Sequence, residues 1–219
     1  MARSYDQFCP VARSLDLVGE RWTLLIVREL VLGPRRYSDL RQALPGIGTN
    51  LLADRLRRLE ELGLAERRRL PAPAGSTVYE LTARGRGLEP ALVALAEWGL
   101  PLMDGPQPGD AFDPAWVLLS FKASFDPAAA RGVKETYEFR IGERRFHAAV
   151  DDGRLALADG PAQEPDLVIQ AEPEDFIAVG TGSVPPDQAL ASGRVRIQGD
   201  PGALARSVAI LGFTQATPG

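Results

Sequence analysis

The sequence predicts an α+β fold built as two domains, on three observations. Residues 36 to 82 hold two helix-period segments joined by a glycine-containing turn, then two extended runs around a Pro/Gly tip. Residues 102 to 110 hold two prolines, two glycines and almost no core residues. Beyond them, period-two alternation dominates from Val133 to Ala171 before helical spacing returns. We therefore expect a first domain over 1–104, mainly α with a β-hairpin. A linker over 105–111 and a small α+β domain over 112–219 follow.

Composition narrows the function. At 219 residues, 45% hydrophobic and 25% charged, the chain has the make-up of an ordinary globular protein. No apolar run is long enough to span a bilayer, and Met1 to Asp6 carry no signal-peptide core, so a cytoplasmic protein without a membrane partner is expected. The single cysteine, Cys9, excludes an internal disulfide framework and a Cys-based zinc site. One histidine, His147, argues against a His-rich metal site or a Ser-His-Asp triad. With no nucleophile–base pair, phosphate loop or metal cluster in the sequence, neither an enzyme nor a cofactor is expected.

The net charge of −4 is unevenly divided. Residues 1–104 carry fifteen arginines and no lysine against thirteen carboxylates, so that part is +2 and the remainder −6. Arginine suits phosphate and guanine because its planar fork bonds bidentately. The split argues for two domains with different tasks.

The elements follow in order. Pro10 opens a helix to about Val18, since a missing N–H costs nothing in a first turn. Gly19 breaks it, and Leu25, Ile26 and Leu30 continue at helical spacing until Leu32-Gly33-Pro34. Tyr37 to Leu44 is a short helix, Pro45 to Gly48 a turn, and Thr49 to Leu62 a fourth helix with Gly63 past its end. In that helix Leu52, Leu56 and Leu59 share one face, with Leu51 and Leu62 at its edge; Asn50, Ala53, Asp54, Arg57 and Glu61 fall opposite. Leu64 to Leu70 and Thr77 to Leu81 read as hairpin arms. Thr82 caps a long helix striped by Leu88, Leu92, Leu95, Trp98 and Leu102, with Pro90 imposing a kink or a late start. In the second domain Asp113-Pro114 opens a helix to about Ser124. Strands follow at Val133–Ile141, Arg144–Val150, Arg154–Ala158 and Leu167–Ala171, with a short one at Val195–Gln198. Helices start at Pro173, Pro186 and Asp200.

The first domain reads as a winged helix. The Cys9-Pro10-Val11 start, the Gly19-Glu20-Arg21-Trp22-Thr23 run, Tyr37-Ser38-Asp39-Leu40, Gly46-Ile47, Arg55-Leu56, Leu81-Thr82 and Trp98-Gly99 together resemble the HxlR family of bacterial transcriptional regulators, over about residues 5–103. The resemblance implies a homodimer, built mainly from the first and last helices, that sets two recognition helices in successive major grooves of double-stranded DNA carrying an inverted repeat. Where the family usually has serine at the recognition-helix cap this chain has Gly48, which offers no side-chain acceptor; Thr49 is the alternative cap. Residues 132–212, above all Gly193-Arg194-Val195-Arg196-Ile197-Gln198-Gly199-Asp200, resemble sterol-carrier-protein-2-like (SCP2-like) domains. That resemblance implies an apolar pocket and a hydrophobic small-molecule effector.

The candidate DNA-facing residues are Arg36, Ser38, Arg41, Thr49, Asn50, Ala53, Asp54, Arg55, Arg57, Arg58, Arg67, Arg68, Arg69 and Thr77. Asn50 can read adenine, and Arg57 can read guanine or clamp a phosphate. Asp54 either accepts from cytosine or balances arginine charge. Arg55 lies near the core side, which suits a structural or phosphate role. The candidate ligand-lining residues are Trp116, Phe121, Phe125, Tyr137, Phe139, Phe146, Phe176 and Phe213, each of which core packing would equally explain. Cys9, just before a helix start, is either a redox sensor or a small residue at the dimer seam. The resulting reading is a ligand-responsive DNA-binding regulator. Its alternatives are a lipid carrier that uses the winged helix only to dimerise, and a regulator that senses oxidants through Cys9.

Overall fold

A computed structural model describes residues 4–71, 75–103, 106–107 and 109–212. The chain divides into two compact units, Met1–Leu92 and Val93–Gly219. Phe213 lies outside the described residues.

The first unit runs α1 (Pro10–Val18), α2 (Thr23–Val31), α3 (Tyr37–Ala43), α4 (Thr49–Glu61), β1 (Ala65–Arg69), β2 (Thr77–Leu81) and α5 (Ala83–Arg86). The helix α6 (Glu89–Gly99) begins in it. Pro10 sits in the first turn of α1. Gly63 follows α4 with a φ of 63°, a conformation in which a side chain would be strained. Strands β1 and β2 pair antiparallel from Ala65 opposite Leu81 to Arg69 opposite Thr77. The backbone of Arg35 adds a third edge, its N–H reaching the Tyr79 carbonyl at 3.0 Å and its carbonyl taking the Tyr79 N–H at 2.7 Å. Ile26, Val27 and Leu30, Leu40 and Leu44, Leu52, Leu56 and Leu59, then Leu64 and Leu81 make one core. Every element up to the wing thus gives an apolar face to the same interior.

Two expectations are corrected. Gly48 is the cap residue of α4, extended at φ −70° and ψ 146°, and Thr49 is already helical, so Thr49 does not cap. Glycine reaches that backbone state without a side-chain bond, at a cost of only about a few tenths of a kcal/mol against a capping residue. The long helix expected from Thr82 is two helices. The Thr82 hydroxyl accepts the Gly85 N–H as a cap should, but α5 stops at Arg86 and α6 starts late, with Pro90 in its first turn. The stripe along α6 is buried only at its start. Leu92 is buried, whereas Leu95 is 49% and Trp98 71% exposed.

The second unit opens with a 3-10 turn, Pro114–Trp116, capped by the Asp113 carboxylate, which accepts the Ala115 N–H. It continues as α7 (Val117–Ser124), β3 (Lys134–Ile141), β4 (Arg144–Asp151), β5 (Arg154–Asp159), β6 (Leu167–Ala171), α8 (Pro173–Gly180), α9 (Pro186–Ala191), β7 (Val195–Gly199) and α10 (Pro201–Leu211). The sheet order is β5-β4-β3-β6-β7; β3 and β6 run parallel and the other neighbours antiparallel. Alternation puts Tyr137, Phe139, Ile141, Phe146, Ala148 and Val150 on one face, all buried.

The link from β5 to β6 crosses the opposite face, because β4 and β3 lie between them in the sheet. It is pinned at three places. His147 Nδ1 lies 3.0 Å from the Gly160 carbonyl oxygen, the Ala162 N–H donates to Glu138 Oε2 at 2.9 Å, and the Thr136 N–H donates to Asp166 Oδ2 at 2.8 Å. His147 therefore points away from the face that carries its neighbour Phe146. The pleat turns it to the polar face, directly opposite Glu138.

Candidate nucleic-acid interface

The two faces of α4 separate as its leucine spacing requires. Leu52, Leu56 and Leu59 are at most 1% exposed, while Thr49, Asn50, Ala53, Asp54 and Arg57 lie on the surface. The helix start is thus held by its own leucines, and a polar strip of about two turns is left on the surface. Within the strip, Asp54 and Arg57 form an ion pair three residues apart, and Arg58 reaches Glu61 at 3.4 Å. Asp54 in the free protein therefore balances arginine charge.

Other elements fix α4 along its length. At its start, the Tyr37 hydroxyl donates to the Thr49 carbonyl at 2.8 Å. In the middle, Arg55 pairs with Glu20 and its Nε donates to the Arg21 carbonyl at 3.3 Å. Past its end, Arg84 donates to the Leu62 carbonyl at 3.0 Å and the Thr82 hydroxyl to the Gly63 carbonyl at 2.7 Å. These bonds take up helix-end carbonyls that α4 cannot satisfy itself. Sequence spacing alone did not reveal Glu20, Tyr37 or Arg84 as supports, since each partner lies 12 to 35 residues away. The tyrosine and arginine types were the available signal.

The three wing arginines differ. Arg67 is bidentate to Glu60, at 2.8 and 3.0 Å, and stands 5.5 Å from the Tyr79 ring centroid. Arg68, sent to the other face by the pleat, is bidentate to Glu80 at 2.6 and 2.9 Å. The hydrogen bonds from Arg68 hold the Glu80 carboxyl below its ordinary range. The Arg69 side chain donates only to the Gly75 carbonyl, at 3.4 Å, among the described residues. Thr77, its register partner, is exposed. On α3, Asp39 accepts the Arg36 N–H at 3.0 Å and the Ser38 hydroxyl at 3.1 Å. The Arg36 and Arg41 side chains are at the surface.

Cys9 is the cap residue of α1, partly buried, beside Phe8, Pro10 and Arg13 in a surface concavity. In the second unit the predicted rings pack on one another. Phe139 is the hub, with centroids 5.1 Å to Phe121, 5.2 Å to Phe146 and 6.4 Å to Phe176. Tyr137, fully buried, donates to Glu135 at 2.7 Å, and Trp116 and Phe125 are partly exposed. Among the described residues no cluster of His, Cys, Asp and Glu could hold a metal ion. No described helix is long and apolar enough to cross a membrane.

Comparison with known proteins follows the same division. Residues 17–105 match the family model described as HxlR-like helix-turn-helix, and residues 118–211 match that of the SCP-2 sterol transfer family. An uncharacterized HTH-type transcriptional regulator of Synechocystis is 42% identical over 91 residues, 42% of this chain and 67% of the relative. Another, from Mycobacterium tuberculosis, is 48% identical over 99 residues, 44% of this chain and 62% of the relative. The chain thus spans about two thirds of the length of these curated relatives. The solved reduced form of the Bacillus subtilis transcriptional regulator YodB is 32% identical, with a TM-score of 0.39, over 48% of this chain and 100% of that one.

Proposed function

The chain belongs to the HxlR-like helix-turn-helix family, and from that premise we propose that it is a dimeric transcriptional regulator. Its winged helix reads a double-stranded, inverted-repeat operator, and its C-terminal domain tunes that binding through an apolar small molecule. The observation that carries the DNA role is α4 itself. Its leucines are sealed in the core while Asn50, Ala53, Asp54 and Arg57 lie on the surface, in a unit that also carries the arginine hairpin.

Exposed apolar surface supports the dimer. Val11 and Leu15, one turn apart on α1, are 66% and 41% exposed, and Leu95 and Trp98 on α6 are open as well. A second copy would cover them. The effector role is supported by the SCP-2 match. An apolar ligand modulates DNA affinity only through unequal affinity for the DNA-competent and incompetent states.

In vitro selection from a random duplex pool tests the reading. The expected product is an inverted repeat with half-sites about one helical turn apart, bound by two copies. A pool that shows no enrichment would remove the DNA role. A selected duplex whose affinity no apolar metabolite alters would remove the effector.

A further inference from the structure

The segment Glu20-Arg21-Trp22 joins α1 to α2 and lies outside the predicted DNA-facing set, yet it touches the helix-turn-helix in two places. Arg55, in the middle of α4, pairs with the Glu20 carboxylate and donates to the Arg21 carbonyl. The side chain of Arg55 is only 20% exposed. The Trp22 ring abuts the turn before α4, where a Cβ built on Gly46 would lie 3.8 Å from it. Gly46 has a φ of 89°, a backbone conformation that glycine permits and a side chain would strain.

Trp22 itself is held in a left-handed conformation, φ 78° and ψ −22°. For a bulky aromatic residue this is a strained state, and such strain persists only where the surroundings over-determine it. The surroundings here do so. The Arg21 guanidinium stands 5.3 Å from the indole centroid, the Thr23 N–H bonds the Glu20 carbonyl at 3.0 Å, and α2 begins at the next residue. Gly19 closes α1 so tightly that an added Cβ would meet the Leu15 carbonyl oxygen at 2.6 Å. The segment is a short strained bridge with α1 at one end and the recognition helix and its turn at the other.

We propose that Glu20 and Trp22 are positioning residues for DNA reading. Glu20, through Arg55, sets where α4 stands, and Trp22, through Gly46, sets the turn that enters it. Neither contacts DNA, and Arg55 belongs to this brace instead of to the phosphate-contacting set. A displacement of α1 therefore reaches the DNA-reading helix through three residues. The inference rests on the DNA-binding reading.

The test uses the intact chain, a duplex selected by the wild type, and a random-sequence duplex. With the Glu20 side chain 61% exposed, Glu20→Ala and Arg55→Ala should each weaken the selected duplex severalfold, up to about fivefold, the scale of a partly exposed ion pair. The double variant should be no weaker than either single one. Glu20→Asp should recover most of the loss. Random-duplex affinity and the salt slope should stay unchanged, because no phosphate contact is removed. Arg55→Lys gives the same reading with helix and charge preserved, should an alanine variant fail to fold. A salt slope flattened by about one unit in Arg55→Ala, with both duplexes weakened in parallel, would make Arg55 a phosphate contact and overturn the proposal. Variants that bind like the wild type would overturn it too. A wild type that selects no duplex would defeat the DNA reading, and this inference with it.

Discussion

Arg67 and Glu60 meet fork to fork, Nε to Oε1 at 2.8 Å and the second nitrogen to Oε2 at 3.0 Å, tying the wing to the last turn of the recognition helix. The pair is partly exposed, so its contribution to stability is small, roughly 0.2–1 kcal/mol. On the proposed function, its effect on DNA binding is expected to be larger. An arginine already matched by a carboxylate neutralises little phosphate charge.

Glu60→Gln is therefore expected to raise affinity for random-sequence duplex several-fold and to steepen the salt slope by up to about one unit. Fluorescence anisotropy across a salt series reads both. By the same argument Arg69→Ala should flatten the slope more than Arg67→Ala does, since Arg69 has no carboxylate partner among the described residues.

The two faces of α4 should respond to mutation in opposite ways. Leu56→Ala removes a side chain that is 1% exposed at the centre of the first unit's core, and should cost about 2–5 kcal/mol of stability in urea unfolding. Arg57→Ala removes an exposed ion pair and should leave stability within about 0.5 kcal/mol. It should instead weaken DNA binding. Equal stability losses in the two variants would contradict the assignment of faces.

Acid should loosen the second unit. Burial pushes the Glu135 carboxyl up, but its hydrogen bonds from Arg206 and Tyr137 outweigh this and hold it below the ordinary range. Glu138 behaves likewise, with burial opposed by Arg140 and the Ala162 N–H. Carboxylates depressed in the folded state stabilise fully above their unfolded value, about 4.3, and lose that contribution as pH falls through the folded value. Unfolding followed from neutral pH downward should thus show stability falling below about pH 4.3. In Glu135→Gln the wild-type advantage should shrink over that same window. A variant with an unchanged pH dependence would exclude Glu135 as a contributor.

Much of this architecture was legible because period and punctuation are local properties. The leucines of α4, Gly63 after it, and the alternation from Tyr137 to Val150 specify elements by themselves. Partner choice was not legible. Arg206 finds Glu135 across 71 residues, and Arg55 finds Glu20 across 35, distances over which no periodicity reports. After Thr82 the apolar stripe predicts one long helix; Pro90 signals the late start that α6 shows, but Gly85 and Gly87, where α5 ends, carry no periodicity to announce the break. For the ring cluster, types and alternation told which residues turn inward, but not that Phe139 would sit within 6.4 Å of three other rings. On α4, sequence separated surface-facing from core-facing residues. It did not separate Arg69 from Arg67 and Arg68, because that distinction depends on Glu60 and Glu80.

The central claim is that the polar strip of α4 and the wing engage duplex phosphates and bases. The most direct measurement is the salt dependence of duplex binding by the intact chain. The account predicts that the logarithm of affinity falls steeply and linearly with the logarithm of salt, by about 0.9 per phosphate neutralised, with a shallower line for Arg57→Ala and Arg69→Ala. Negligible binding at low salt, or a flat line unchanged by those substitutions, would contradict it.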